Sequence, residues 1–148
     1  MSSDRVTAQQ RRFVVERAKG CCEYCMSQME FATQAFSVEH ILPHTRGGSS
    51  EPENLALSCQ GCNNHKFTKT EGFDPLTQET VPLFHPREQQ WRDHFTWNED
   101  YTIVIGLTPT GRATVNELCL NRSSVVNLRR VLFSCGEHPP SETLPESN

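Results

Sequence analysis

The chain has no apolar run near the roughly 18 residues that a membrane-spanning helix needs. Its opening residues, MSSDRVTAQQRRF, lack the apolar stretch of a secretory signal. These two absences predict a cytoplasmic protein with no membrane role. Basic residues are not in excess either. Lys and Arg total 14 against 18 Asp and Glu, a net charge of −4. A domain that grips phosphates ordinarily carries a basic face. Here such a face requires Arg11, Arg12, Arg17, Lys19, Arg46, Lys66 and Lys69 to cluster in space, or a protein partner to supply the affinity. Internal repetition is absent apart from two short cysteine pairs.

At 148 residues, with 35% hydrophobic residues, one domain with a modest core is expected. A core of that size often needs a staple. Seven cysteines are available, an odd number, and four of them form two Cys-x-x-Cys pairs, Cys22/Cys25 and Cys59/Cys62. Without a secretion signal, this pattern favours metal over disulfides. Four thiolates around one Zn²⁺ make a closed structural site with no open position for water. Cys21 is a bystander on this reading, and Cys119 and Cys135 are expected in the core. A redox role is disfavoured because neither pair sits in a βαβ context.

The periodicity predicts a first helix from about Thr7 to Ala18, ended by Gly20. Short strands are expected at Phe31, at Phe36–Val38 running into Glu39-His40, and at 54–58. On the first of these, Val38 should point inward. Pro43 stops that strand, and Gly47-Gly48 make a flexible loop. A helix is expected from Asn63 to about Lys69. Beyond it, 72–97 reads as an extended arm or hairpin whose Trp91, Phe95 and Trp97 pack back on the core. YTIVIG, 101–106, is predicted as a strand, followed by a helix over 112–120 and a last helix capped by Ser123 or Ser124. The tail from Gly136 has the composition of disorder.

Glu39-His40 is the pair with chemical potential. Hydrolysis of a phosphodiester needs an activated water and a cation to stabilise charge at the scissile phosphate. A histidine titrating near neutrality can take the proton. A carboxylate and an amide oxygen suit a hard divalent ion. His44 is the rival base in the same loop, whereas His85 and His94 read as packing residues.

The run CEYC, VEHILP, RGG and ENLALSCQGCNNHK resembles the HNH endonuclease family in its four-cysteine, zinc-braced, stand-alone bacterial branch. The resemblance covers about residues 20 to 70. It implies an α+β fold built around a ββα-metal (His-Me finger) motif with a structural zinc at Cys22, Cys25, Cys59 and Cys62. It makes His40 the general base, Asn54 the residue that orients it, and Glu39 with Asn63 the ligands of a catalytic Mg²⁺ or Mn²⁺. His65 is an alternative third ligand. Arg46 and Lys66 become phosphate contacts. Two departures stand out: Glu39 where Asp is frequent, and Asn63 where His is frequent.

The organisation expected is 1–72 for the first helix and finger, 73–135 for a helical C-terminal extension packing on it, and 136–148 for a disordered tail. Residues 74–122 also resemble the extension of small HNH proteins, without a role attached. Arg87, Trp91, His94 and Arg112 either form a DNA-binding face or bury the open side of the finger. The function expected is metal-dependent hydrolysis of DNA, with RNA kept open as substrate. The alternative is a non-catalytic zinc-ribbon module that binds nucleic acid or protein.

Overall fold

A computed structural model describes residues 6–144. It mixes short helices with three separate two-stranded antiparallel sheets, an α+β arrangement. Helix α1 (Ala8–Arg17) opens with a capping box: Thr7 Oγ1 accepts from the Gln10 amide and the Gln10 side chain accepts from the Thr7 amide. Its arginines are spent on the structure. Arg11 donates to the Phe36 carbonyl, and Arg17 donates to those of Pro52 and Leu55.

Strands β1 (Ser37–His40) and β2 (Leu55–Ser58) pair in the register Glu39↔Ala56 and His40↔Leu55. Helix α2 (Gln60–Lys66) follows at once, capped by Cys59. The strand expected at Phe31 is instead a 3₁₀ turn, Met29–Phe31. On β1 the buried position is Glu39 rather than Val38, which is only half-buried. Strand pleating sends alternate residues to opposite faces, so His40 points away from Glu39.

The arm from 71 onward is a hairpin of β3 (Glu71–Asp74) and β4 (Glu79–Pro82), then α3 (Trp91–His94) and β5 (Phe95–Trp97). Strand β5 pairs with β6 (Val104–Gly106), which is shorter than the expected strand. Asn98 accounts for the difference. Its side chain accepts from the amides of Thr102 and Ile103 and folds that segment into a turn. Helices α4 (Pro109–Leu118) and α5 (Ser123–Ser134) follow, and then a 3₁₀ turn, Ser141–Thr143. Arg122, not a serine, stands at the N-cap of α5.

One apolar cluster joins Tyr24, Cys22, Cys25, Leu55 and Leu57 to Phe84, Trp91, Phe95, Trp97, Leu118 and Leu120. Its aromatic rings meet edge-on or tilted, Phe84–Phe95 at 5.2 Å and Trp91–Trp97 at 5.3 Å between centroids. Trp91 Nε1 donates to the Tyr24 carbonyl at 2.9 Å, which ties the aromatic segment to the first cysteine pair. Cys119 and Cys135 are exposed, not core. Each is the residue that ends its helix, and Leu118, Leu120 and Leu132 take the inward positions.

Residues of the segment 136–144, the first part of the expected tail, pack on the core. His138 lies edge-on to Trp97 at 4.7 Å and donates to the Tyr101 carbonyl, and burial lowers its pKa. Trp97 Nε1 donates to Thr143. Residues 145–148 of that tail lie outside the described residues. No helix among the described residues is long and apolar enough to cross a membrane.

Asp74 fastens the β3–β4 turn to α4. Arg112 grips both its oxygens, at 2.9 and 3.0 Å, and Thr77 and the Leu76 amide donate as well. Those donors, Arg112 foremost, hold the carboxyl well below the usual aspartate range. A depressed folded pKa means the contribution is present above the unfolded value of about 3.9 and is lost as pH falls below it. Asp74→Asn is therefore expected to lower the melting temperature at pH 7, with the gap to wild type closing as pH drops below about 4. A gap that stays constant across pH 7 to 2.5 in thermal melts counts against this role.

Candidate functional site

The two cysteine pairs converge. The Sγ atoms of Cys22, Cys25, Cys59 and Cys62 lie within 4.8 Å of one another, and all four residues are buried. The local folds explain how. Met26 donates its amide to the Cys22 carbonyl and Cys22 its amide to the Ser27 carbonyl, which wraps the first pair into a tight turn. In the second pair Cys59 caps α2, and its sulfur accepts from the Cys62 amide at 3.4 Å. Cys21 stays outside, bridged through its backbone to Gln28. Four buried sulfurs at mutual contact, with Cys25 and Cys59 3.6 Å apart, fit one tetrahedral zinc.

Two arginines from the C-terminal helix reach this cluster, a feature the sequence did not announce. Arg122 directs its guanidinium at the sulfurs of Cys59 (3.3 Å) and Cys62 (3.7 Å). It lies over Gly61, where a β-carbon would sit 2.4 Å from its Nη2. Burial opposes its charge, but the thiolates around it prevail and raise its pKa. Arg129 is buried beneath, donating to the carbonyls of Cys25, Leu120 and Thr102 and lying 5.1 Å over the Trp97 ring. A four-thiolate zinc carries a net charge of −2, so a nearby guanidinium offsets part of it.

The loop between β1 and β2 is closed by Asn54. Its Oδ1 accepts from the Leu42 amide at 2.8 Å, and its Nδ2 donates to the carbonyls of Leu42 and Ser49. Its backbone carbonyl takes the Ile41 amide. Gly48 is required at this closure, because a β-carbon there would meet the Leu42 oxygen at 1.7 Å. The loop holds Ser50 2.9 Å from His40 Nε2, and Ser50 is a partner the sequence reading missed. His40 is half-buried at the mouth of this loop. His44 lies across it, with ring centroids 6.4 Å apart.

Glu39 does not stand beside His40. It is 6% exposed, takes a hydrogen bond from the Tyr24 hydroxyl, and has its Oε2 3.4 Å from Lys66 Nζ. Burial pushes its pKa up, while Lys66 and Tyr24 oppose that rise. Lys66 is itself 1% exposed and donates to the Ile41 carbonyl at 3.0 Å. This differs from the surface phosphate contact expected of Lys66. The cause is its place on the inner face of α2, directly under β1. Tyr24, inside the first cysteine pair, was the available signal for a buried acid.

Asn63 is half-buried on α2, one turn before Lys66, and His65 is exposed. The Glu39 carboxylate is paired with Lys66 of the same helix that carries Asn63. Arg46 is exposed, as a phosphate contact requires, and is tethered to the Thr68 carbonyl and to Thr70 Oγ1 at 2.9 Å.

Of the two roles expected for Arg87, Trp91, His94 and Arg112, packing agrees with the contacts they make. Arg87 pairs with Glu23, Arg112 with Asp74, and Trp91 is buried. His94 bonds Thr108 and tilts against Phe84. These residues close the open side of the cysteine and hairpin unit.

Neither the curated proteins nor the solved structures contain a match to this chain. Residues 22–69, which hold both cysteine pairs, β1, β2, the Asn54 loop and α2, match the family model for HNH endonuclease.

Proposed function

We propose that this protein is an endonuclease that hydrolyses phosphodiester bonds of DNA, with His40 as general base. The observation that carries the reading is the Asn54-closed loop, which holds His40 at the end of β1 within the matched stretch. A structural zinc braces the scaffold. His40 takes a proton from water, and Asn54 acts through the loop, fixing where the imidazole stands. Arg46 contacts a phosphate. Dependence on Mg²⁺ or Mn²⁺ is a separate outcome of the assay, since the Glu39 carboxylate is paired with Lys66.

The zinc-ribbon binding module keeps one observation in its favour: the acid that precedes His40 in sequence is turned inside and paired with Lys66. Part of the chain's positive charge is likewise paired internally, at Lys66, Arg87 and Arg112. A protein partner that supplies DNA affinity agrees with this.

Plasmid nicking at low salt, with Mg²⁺ or Mn²⁺ and zinc content measured in parallel, separates the readings. Wild type is expected to nick, and folded, zinc-loaded His40→Ala to lose about 10²–10⁴-fold in rate. If His40→Ala cuts like wild type, the base is elsewhere, and His44 and His65 are next. If both are folded, zinc-loaded and inert on DNA and RNA, the binding-module reading takes over.

A further inference from the structure

Phe67 follows α2 directly and is 75% exposed. Its φ is +50° and its ψ −118°. Other residues here have positive φ, but Cys119, for example, rests in the left-handed helical well at φ +50°, ψ +53°. Phe67 lies outside that well, in backbone space that glycine enters readily and a bulky side chain does not. Two costs thus meet at one residue: a strained backbone, and a large apolar ring left in water. Its amide donates to the Asn63 carbonyl, which fixes where the ring emerges.

The surroundings are those of the candidate site. Lys66, the preceding residue, is locked to the carbonyl of Ile41, just after β1, and the following residue, Thr68, receives the Arg46 guanidinium. An exposed aromatic residue is therefore next in sequence to Thr68, to whose carbonyl the exposed Arg46 is tethered, just past the helix that carries Asn63. This combination suits a DNA strand, with phosphate on the guanidinium and a base against the ring.

We propose that Phe67 contacts a base of the DNA duplex as an apolar wedge beside the cut site, a positioning role that rests on the nuclease reading above. Contact with a base offsets the second of these costs, because it takes the ring out of water. Insertion of an apolar side chain at a base step partly unstacks it and fixes the phosphate relative to His40.

The test uses the zinc-loaded protein with duplexes carrying 2-aminopurine at successive positions. Binding is read by anisotropy, and unstacking by the rise in 2-aminopurine fluorescence. Phe67→Ala is expected to keep zinc and melting temperature, to weaken DNA binding about tenfold or more, and to abolish the fluorescence rise. Phe67→Trp should restore both. Phe67→Gly should melt higher than wild type, because it relieves the backbone while losing the contact. If Phe67→Ala binds, unstacks and nicks as wild type does, the wedge is overturned while the nuclease reading stands. If Phe67→Ala loses zinc or melts markedly lower, Phe67 is structural and the wedge is again overturned. If wild type neither binds nor cuts, the nuclease reading fails and the wedge falls with it.

Discussion

Stripping the metal from this protein is expected to unfold it. One zinc per chain should be found by elemental analysis, bound by Cys22, Cys25, Cys59 and Cys62. The cluster sits where Tyr24, Leu55, Leu57 and the aromatic segment meet, so the core is organised on it. A structural zinc contributes about 10–16 kcal/mol in small zinc domains at neutral pH. Whole domains are stable by only about 5–15 kcal/mol. The metal's share is thus as large as the total. Cys62→Ser, or a strong chelator, should abolish cooperative thermal unfolding and remove the helical signal in circular dichroism. Cys21→Ser, Cys119→Ser and Cys135→Ser should retain zinc and melt near wild type, because their sulfurs lie outside the cluster. A metal-free protein that still melts cooperatively would reduce the cysteines to buried thiols. Ligands must be thiolates to bind, so zinc retention should also weaken in acid.

The parts that were legible in the sequence are those set by local spacing. Two Cys-x-x-Cys pairs announce a four-sulfur cluster because each pair closes within a single turn. Thr7 announces the start of α1 because its cap is satisfied three residues away. Gly48 was readable as a loop residue, whereas Asn54, expected at the start of a strand, lies before β2 and closes the loop on both sides of Leu42. What stayed hidden depends on which face of an element meets which neighbour. That Glu39 and His40 project to opposite faces follows from strand pleating alone, but the inward position fell on the acid rather than on Val38, because Lys66 and Tyr24 meet it there. Arg122 and Arg129 reach the cysteines from more than 60 residues away, which no spacing rule anticipates. The exposure of Cys119 follows from one residue of helical phase: Leu118 and Leu120 flank it and face the core.

Lys66→Met is expected to destabilise the protein by about 3–5 kcal/mol, the cost of leaving a buried charge without its partner. Lys66 and Glu39 have side chains 2% and 4% exposed, so solvent offers neither a substitute. Glu39 has a second partner in Tyr24, and burial already pushes its pKa up, so part of the loss is recovered by protonation. Glu39→Gln leaves Lys66 as the unpaired charge, with the Ile41 carbonyl as its remaining acceptor. Combining Glu39→Gln with Lys66→Met should therefore cost less than the sum of the two, a coupling that urea denaturation can resolve. The same variants decide what Glu39 does. If it is a structural residue, Glu39→Gln loses stability, and the nicking that survives in the folded fraction stays near wild type. If it is a metal ligand, as the family resemblance implies, nicking collapses at unchanged melting temperature and Lys66→Met is nearly neutral. A result between these, in which stability falls and the remaining folded protein requires more Mg²⁺ to cut, would mean that Lys66 and the cation compete for one carboxylate.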